Sequence, residues 1–405
     1  MSGYDSFSRF LVDFYKDYIP IKAVNPDFGG EGETERAKFL ESLLRKIGVD
    51  EIKHYDVPDK RVKGGIRPNI IAYIYGRNTD KTFWIIGHMD VVPEGDKSLW
   101  LYDPWSANIS GDYIYGRGTE DDGQGIATGL LVLKMLRDYD IMPNINLGIA
   151  FVSDEEAGSN YGAKYLAFNT DVFKQSDEIL IPDAGYPEGD KIEVAEKHIL
   201  WLKIKALGKQ AHASTPEKGI NAHRLNMEFV LSVYNKIHDR FNKYNELFDP
   251  PVTTCEPTKK EKNIDNINTI PGVDTVYMDC RILTDYNPKE VLDFIREEAY
   301  NFSLERGCKI DVEVVSLDIA PKPTDPNSEF VRNFIKSLKE IRNIEARPIG
   351  IGGGTVAKYF REKGIPTIVW MTTEGTAHEP NERVKISNII NDARVIFYYL
   401  TSKKV

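Results

Sequence analysis

The chain has 405 residues, 41% of them hydrophobic and 28% charged. Its 52 Lys and Arg against 62 Asp and Glu leave a net charge of −10, the wrong sign for a protein that binds nucleic acid by releasing counterions from phosphates. No apolar run approaches the roughly 18–20 residues that span a bilayer, and Cys255, Cys280 and Cys308 offer neither a CxxC zinc site nor a dense disulfide framework.

The first twenty residues mix Asp, Arg and Lys into their apolar positions and lack the apolar region of a signal peptide. With the sparse cysteines, this leads us to expect a soluble, cytoplasmic protein in a reducing setting. Phe7, Phe10, Leu11 and Phe14 fall at helical spacing. A second helix is expected from Thr34, as cap, to Gly48, with Phe39, Leu40, Leu43, Leu44 and Ile47 on one face. Apolar runs at Asn69–Tyr75, Thr82–Ile86, Ile145–Val152, Glu178–Ile181 and Thr367–Trp370 then alternate with helical patterns near Gly125–Arg137, Tyr161–Ala167, Ser328–Arg342 and Ile386–Leu400. That alternation predicts an α/β fold, a mixed and mostly parallel sheet sandwiched by helices. Between residues 193 and 318 the pattern changes to strands at His198–Ala206, Thr275–Leu283 and Cys308–Val315 with helices at His223–Phe241 and Lys289–Leu304. This reads as a small α+β domain inserted into a larger one made of residues 1–192 and 319–405.

Four of the expected core strands run straight into polar groups: WIIG into His88 and Asp90, IAFVS into Asp154, Glu155 and Glu156, ILIP into Asp183, and IVWMTTEGTA into His378. Asp121 and Asp122 form a fifth group, in a turn before a helix. In open α/β sheets ligands gather at the carboxyl ends of the strands. Taken singly, each group reads as a helix cap or a packed histidine. Together they form a crevice of carboxylates that repel one another unless a cation compensates. The mixed His/Asp/Glu set favours zinc over magnesium or calcium, with cobalt and manganese compatible.

The blocks GHMDVVPEG, GRGTEDDGQG, FVSDEEAGS, PDAG, GKQAHASTPEKGINA, NINTIPG with DCR, GGGT and AHEPNE occur in that order. Together they resemble the acetylornithine deacetylase / succinyl-diaminopimelate desuccinylase family of di-zinc amidohydrolases and peptidases, most closely its archaeal members. The resemblance implies a zinc-exopeptidase-like fold whose inserted domain serves as dimerisation domain and lid. It implies two zinc ions per subunit, one on His88 and Asp183, the other on Glu156 and His378, with Asp121 bridging and a cis peptide after it. Asp90 would accept the second ring N–H of His88. Glu155 would be the general base, taking the proton of a zinc-bridging water that attacks an amide carbonyl and returning it to the leaving nitrogen. His212 would steady the oxyanion from a partner subunit of a homodimer. Arg281 would grip a substrate carboxylate, with Asn268, Gly354 and Thr355 adding hydrogen bonds.

The sequence departs from many relatives at Gly123-Gln124-Gly125, where they carry Lys-Gly, and at Val356-Ala357, where they often carry Ser-Asp. Neither change touches an expected ligand. The leading expectation is a zinc deacylase acting on a small N-acyl amino acid; a dipeptidase or carboxypeptidase using the same site is the alternative. A non-catalytic binding protein of this fold would lack a ligand or the base, and every position is filled.

Overall fold

The computed structural model describes residues 6–405. The chain divides into two compact units. One is built from the chain up to Val194 with Pro323–Pro348 and Thr355–Val405; the other from Ala195–Lys322 with Ile349–Gly354. Chain order alone had placed the glycine-rich 349–354 segment with the larger part.

An eight-stranded sheet has the order Glu51–His54, Ile70–Ile74, Ile145–Val152, Asn78–His88, Glu178–Ile181, Thr367–Val369, Lys191–Glu196 and Arg347–Ile351. The four strands from Ile145–Val152 to Thr367–Val369 are contiguous and parallel. Those are the four that end in polar groups. Alternate residues fill opposite faces: Trp84, Ile86, Ala150, Val152, Ile179 and Ile181 pack in one apolar cluster with Leu166 and Phe360. On the other face lies the helix Gly123–Asp138, where a side chain at Gly129 would touch Ile85 and Ile149. The helix Thr34–Ile47 ends on Gly48 as expected, but Thr34 does not cap it. The cap position belongs to Glu33, whose carboxylate is held by Arg67 instead.

The smaller unit has a four-stranded antiparallel sheet in the order Thr254–Lys260, Val273–Ile282, His198–Leu207 and Lys309–Asp318. Leu200, Leu202, Ile204, Met278 and Ile282 point to one face and pack with Phe229, Val233 and Ile295 of the helices Ala222–Arg240 and Pro288–Arg306. The edge strand Thr254–Lys260 had no sequence signal, because Pro257, Lys259 and Lys260 break the alternation; an edge tolerates them. Cys255 and Cys280 stand opposite each other on neighbouring strands with their sulfurs paired, leaving Cys308 free. Among the described residues no helix is long and apolar enough to cross a membrane.

Candidate metal centre

The parallel strands deliver their ends to one place. The strand Asn78–His88 stops at His88, and Asp122, at the N-cap of the helix Gly123–Asp138, secures it. One oxygen of Asp122 accepts the N–H of His88 at 3.0 Å and the other that of Gly125 at 2.9 Å. Gly125 is required there, since a Cβ would sit 2.2 Å from Asp122 Oδ1 and 2.6 Å from the Pro182 carbonyl. The Asp121–Asp122 peptide is cis.

Asp121 lies between two imidazoles. Its Oδ1 is 2.7 Å from His88 Nε2 and its Oδ2 is 2.9 Å from His378 Nε2. Asp183 Oδ1 stands 3.3 Å from His88 Nε2, and Glu156 Oε2 stands 3.2 Å from His378 Nε2. The five residues named as ligands therefore meet in one cluster with Asp121 at its middle. Oxygen and nitrogen atoms of His88, Asp121 and Glu156, and of His88, Asp122 and Asp183, come close enough to share an ion. Glu156 Oε1 is buried with no hydrogen-bond partner, an orphaned acceptor of the kind a cation satisfies. The donor set and this orphan fit a pair of divalent metals.

The electrostatics agree with a site short of positive charge. Burial pushes the Glu155 carboxyl well above its usual range, and the charge of Asp183 adds to it. Burial likewise raises Glu156 and Asp183. The hydrogen bonds that His378 donates to Asp121 and Glu156 push its imidazole up to about 10.

Asp90 does more than the sequence suggested. His88 Nδ1–H donates to the Asp90 backbone carbonyl at 3.0 Å, while the Asp90 carboxylate is 3.6 Å away. That carboxylate accepts the backbone N–H groups of Glu155 at 2.9 Å and Glu156 at 3.2 Å. It thus aims the two glutamates, which follow Asp154 in a left-handed conformation (φ 67°).

Sequence reasoning missed the supports. Asn25 donates to Asp90 at 2.7 Å and to Asp154 at 3.2 Å. Arg67, fully buried, binds Glu33 through Nε at 2.8 Å and approaches Asp154 at 3.2 Å. Two further carboxylates cross between loops. Glu382 accepts N–H groups of Gly118, Glu120 and Asp121 at 3.0, 2.9 and 3.1 Å, and burial pushes it up to about 7. Glu120 in turn accepts those of Gly375 and Thr376 at 2.8 and 2.9 Å. The Asp121 turn and the His378 turn are locked together. Glu382 lay within the AHEPNE block, but nothing in its spacing disclosed the partner loop.

The remaining expected site residues divide between the units. Thr355, in the larger one, accepts the Ala357 N–H through its hydroxyl at 3.2 Å. In the smaller one, Arg281 projects from the sheet face opposite the helices. Its Nε and Nη2 donate to Asp279 at 2.7 and 3.0 Å, and Nη1 donates to the Gly352 carbonyl at 2.9 Å. A Cβ at Gly352, Gly353 or Gly354 would meet no close neighbour. His212 and Asn268 lie at one two-stranded antiparallel pairing, where His212 pairs with Thr269 and the Asn268 carbonyl accepts the Ala213 N–H at 2.9 Å.

Residues 84–402 match the model of peptidase family M20/M25/M40. An uncharacterized metallohydrolase of Methanocaldococcus jannaschii is 42% identical over 96% of this chain and 98% of its own. A succinyl-diaminopimelate desuccinylase of Nautilia profundicola is 26% identical over 92% of this chain and 94% of its own. Among solved structures, a tripeptidase of Staphylococcus aureus shares the fold with a TM-score of 0.73 at 20% identity, covering 98% of both chains.

Proposed function

This chain belongs to peptidase family M20/M25/M40 and is a metal-dependent amidohydrolase, and from that premise we propose that it is a zinc deacylase cleaving a succinyl or acetyl group from a small N-acyl amino acid. The observation that carries the reading is Asp121, with one oxygen toward His88 and the other toward His378, flanked by Asp183 and Glu156. That is the arrangement a carboxylate shared by two cations requires. His88 and Asp183 would hold one zinc, Glu156 and His378 the other. When bound, the ions supply the charge that polarises an amide carbonyl and acidifies water.

The chain's own groups do the rest. Glu155, aimed by the Asp90 carboxylate, takes a proton from the attacking water and delivers it to the leaving nitrogen. His212 donates a hydrogen bond to the oxyanion. Arg281 receives the free carboxylate of the substrate in its planar fork, exchanging Asp279 for it. Asn268, Gly354 and Thr355 add polar contacts to the substrate. The desuccinylase of Nautilia profundicola supports the deacylase reading. The same Arg281 fork suits the terminal carboxylate of a short peptide, so a dipeptidase or carboxypeptidase is the second reading.

His212 acts across a homodimer in this proposal. Support comes from the helix Ala222–Arg240, which exposes Met227 and Leu231 beside the open edge of Thr254–Lys260. A second copy pairing there would cover both. Mixing His212→Ala with Glu155→Gln subunits then restores part of the activity; well-mixed heterodimers without activity overturn the exchange. A cytoplasmic location completes the proposal and is tested by fractionation.

Steady-state assays with added zinc on N-succinyl-diaminopimelate, N-acetylornithine, N-acetylmethionine and unmodified dipeptides test the function. Preferred release of an acyl group supports it. Faster cleavage of dipeptides replaces the deacylase with the peptidase.

A further inference from the structure

His212 closes the short strand Ala211–His212, and the chain turns back at once, with the Thr215 N–H donating to the His212 carbonyl at 3.0 Å. The turn places Ser214 against the imidazole. Its backbone N–H donates to His212 Nδ1 at 3.1 Å, and its hydroxyl oxygen lies 2.7 Å from the same nitrogen. A backbone N–H can only donate. The nitrogen that receives it offers a lone pair and carries no hydrogen. A neutral imidazole has one hydrogen-bearing and one accepting nitrogen, so the hydrogen of neutral His212 sits on Nε2. The hydroxyl, close to the same nitrogen, can donate to it as well and so add to the backbone N–H.

We propose that Ser214 is a positioning residue that holds His212 in its Nε2–H tautomer, making the ring a hydrogen-bond donor to the carbonyl oxygen of an amide substrate. This deepens, and rests on, the oxyanion role given to His212 above. It also removes two other roles. Nδ1 is occupied and cannot serve as a base, and Nε2 bears a hydrogen and cannot ligate a metal in that form. The state is not imposed on every histidine: His198 Nδ1 also accepts a backbone N–H, that of Ala320 at 2.9 Å, but two others take the opposite form. His238 Nδ1 faces the Tyr234 carbonyl at 2.7 Å and His88 Nδ1 the Asp90 carbonyl at 3.0 Å, which put the hydrogen on Nδ1 in both.

Two-bond proton–nitrogen spectra of the full-length, zinc-loaded protein labelled with 15N-histidine test the proposal directly, with His212→Ala assigning the resonance and His238 as the opposite internal reference. The expected pattern for His212 is an unprotonated Nδ1 and a protonated Nε2; a predominantly Nδ1–H ring overturns the proposal. Ser214→Ala, which keeps the backbone donor but loses the hydroxyl, is expected to admit some of the other tautomer and to lower kcat at least about threefold with KM little changed. Ser214→Thr is expected to restore both. If Ser214→Ala moves neither the spectrum nor kcat, the side chain is not a positioning group. Full activity of His212→Ala instead sinks the oxyanion role, a result that the tautomer spectrum does not touch.

Discussion

Asn25 Nδ2 lies 2.7 Å from Asp90 Oδ2, and the same amide reaches Asp154 Oδ1 at 3.2 Å. One buried NH2 therefore separates two buried carboxylates, and its own oxygen is taken by the Asp27 N–H at 3.0 Å. Backbone bonds to Val91 fix the segment that carries it. Asn25→Leu keeps the size and removes the donors. We expect it to cost about 3 kcal/mol, because a buried charged acceptor loses its partner. We also expect kcat to fall at least about tenfold with KM nearly unchanged, since Asp90 aims Glu155 rather than touching substrate. Urea unfolding and steady-state kinetics read the two effects separately. Lost stability with unchanged kcat would reduce Asn25 to a structural role.

Removal of metal is expected to lower the melting temperature, and added zinc to restore it. In the chelated protein Asp121, Glu156 and Asp183 face one another with only imidazoles between them. A ligand at about a hundredfold over its dissociation constant stabilises by about 2.7 kcal/mol. Zinc affinity is expected to weaken as the pH falls, because carboxylates and imidazoles must shed protons to bind. Calorimetric scans with and without chelator show no difference if the cluster holds no metal.

Glu155→Gln is expected to retain both ions while losing at least roughly 100-fold in kcat, because it removes proton transfer and leaves the other side chains in place. Metal analysis of the purified variant checks the first half and initial rates the second. Near-full activity would move the base elsewhere.

Much of this centre was legible because each parallel strand is a continuous apolar run, buried on both faces, and its first polar residue marks the exit from the sheet. His88, Glu155 and Asp183 announced themselves that way. Asn25, Arg67 and Glu382 did not. Their partners lie 65, 34 and 261 positions away in Asp90, Glu33 and Asp121, and such pairings leave no trace in local periodicity. The same reason explains Glu33, which any local rule reads as a helix-starting acid and which Arg67 claims instead. The motif blocks named Asp90 but pointed its carboxylate at His88; only the folded turn shows it receiving the N–H groups of Glu155 and Glu156.

Arg281 already holds a carboxylate, that of Asp279, in a two-point bond. Its third arm is tied to the Gly352 carbonyl, so the fork is oriented before substrate arrives. Arg281→Lys keeps the charge and loses the fork. We expect KM to rise at least about tenfold with a smaller change in kcat, since one strong charge-assisted pair is worth about 1.5–3 kcal/mol. Asp279→Asn weakens the internal competitor and is expected to lower KM. Equal KM values for all three proteins would place the substrate carboxylate elsewhere.

Asp392 supplies a pH dependence through a group that is not an expected metal ligand. It is buried in the helix Ile386–Thr401, accepts the N–H and hydroxyl of Thr372 at 2.7 Å each, and pairs with Arg342 at 3.1 Å. Burial outweighs Arg342 and pushes its carboxyl from 3.8 up to about 6. Between those values the folded protein keeps a proton that the unfolded chain has released. The contribution of this group to stability is therefore greatest below pH 3.8, declines as the pH rises toward 6, and is level above. A shift of this size spans about 3 kcal/mol. Asp392→Asn cannot titrate, so its unfolding free energy, compared with that of the unsubstituted protein by urea titration across this interval, is expected to lack that decline. Parallel curves for the two proteins would show that Asp392 is already ionised throughout, with Arg342 outweighing burial.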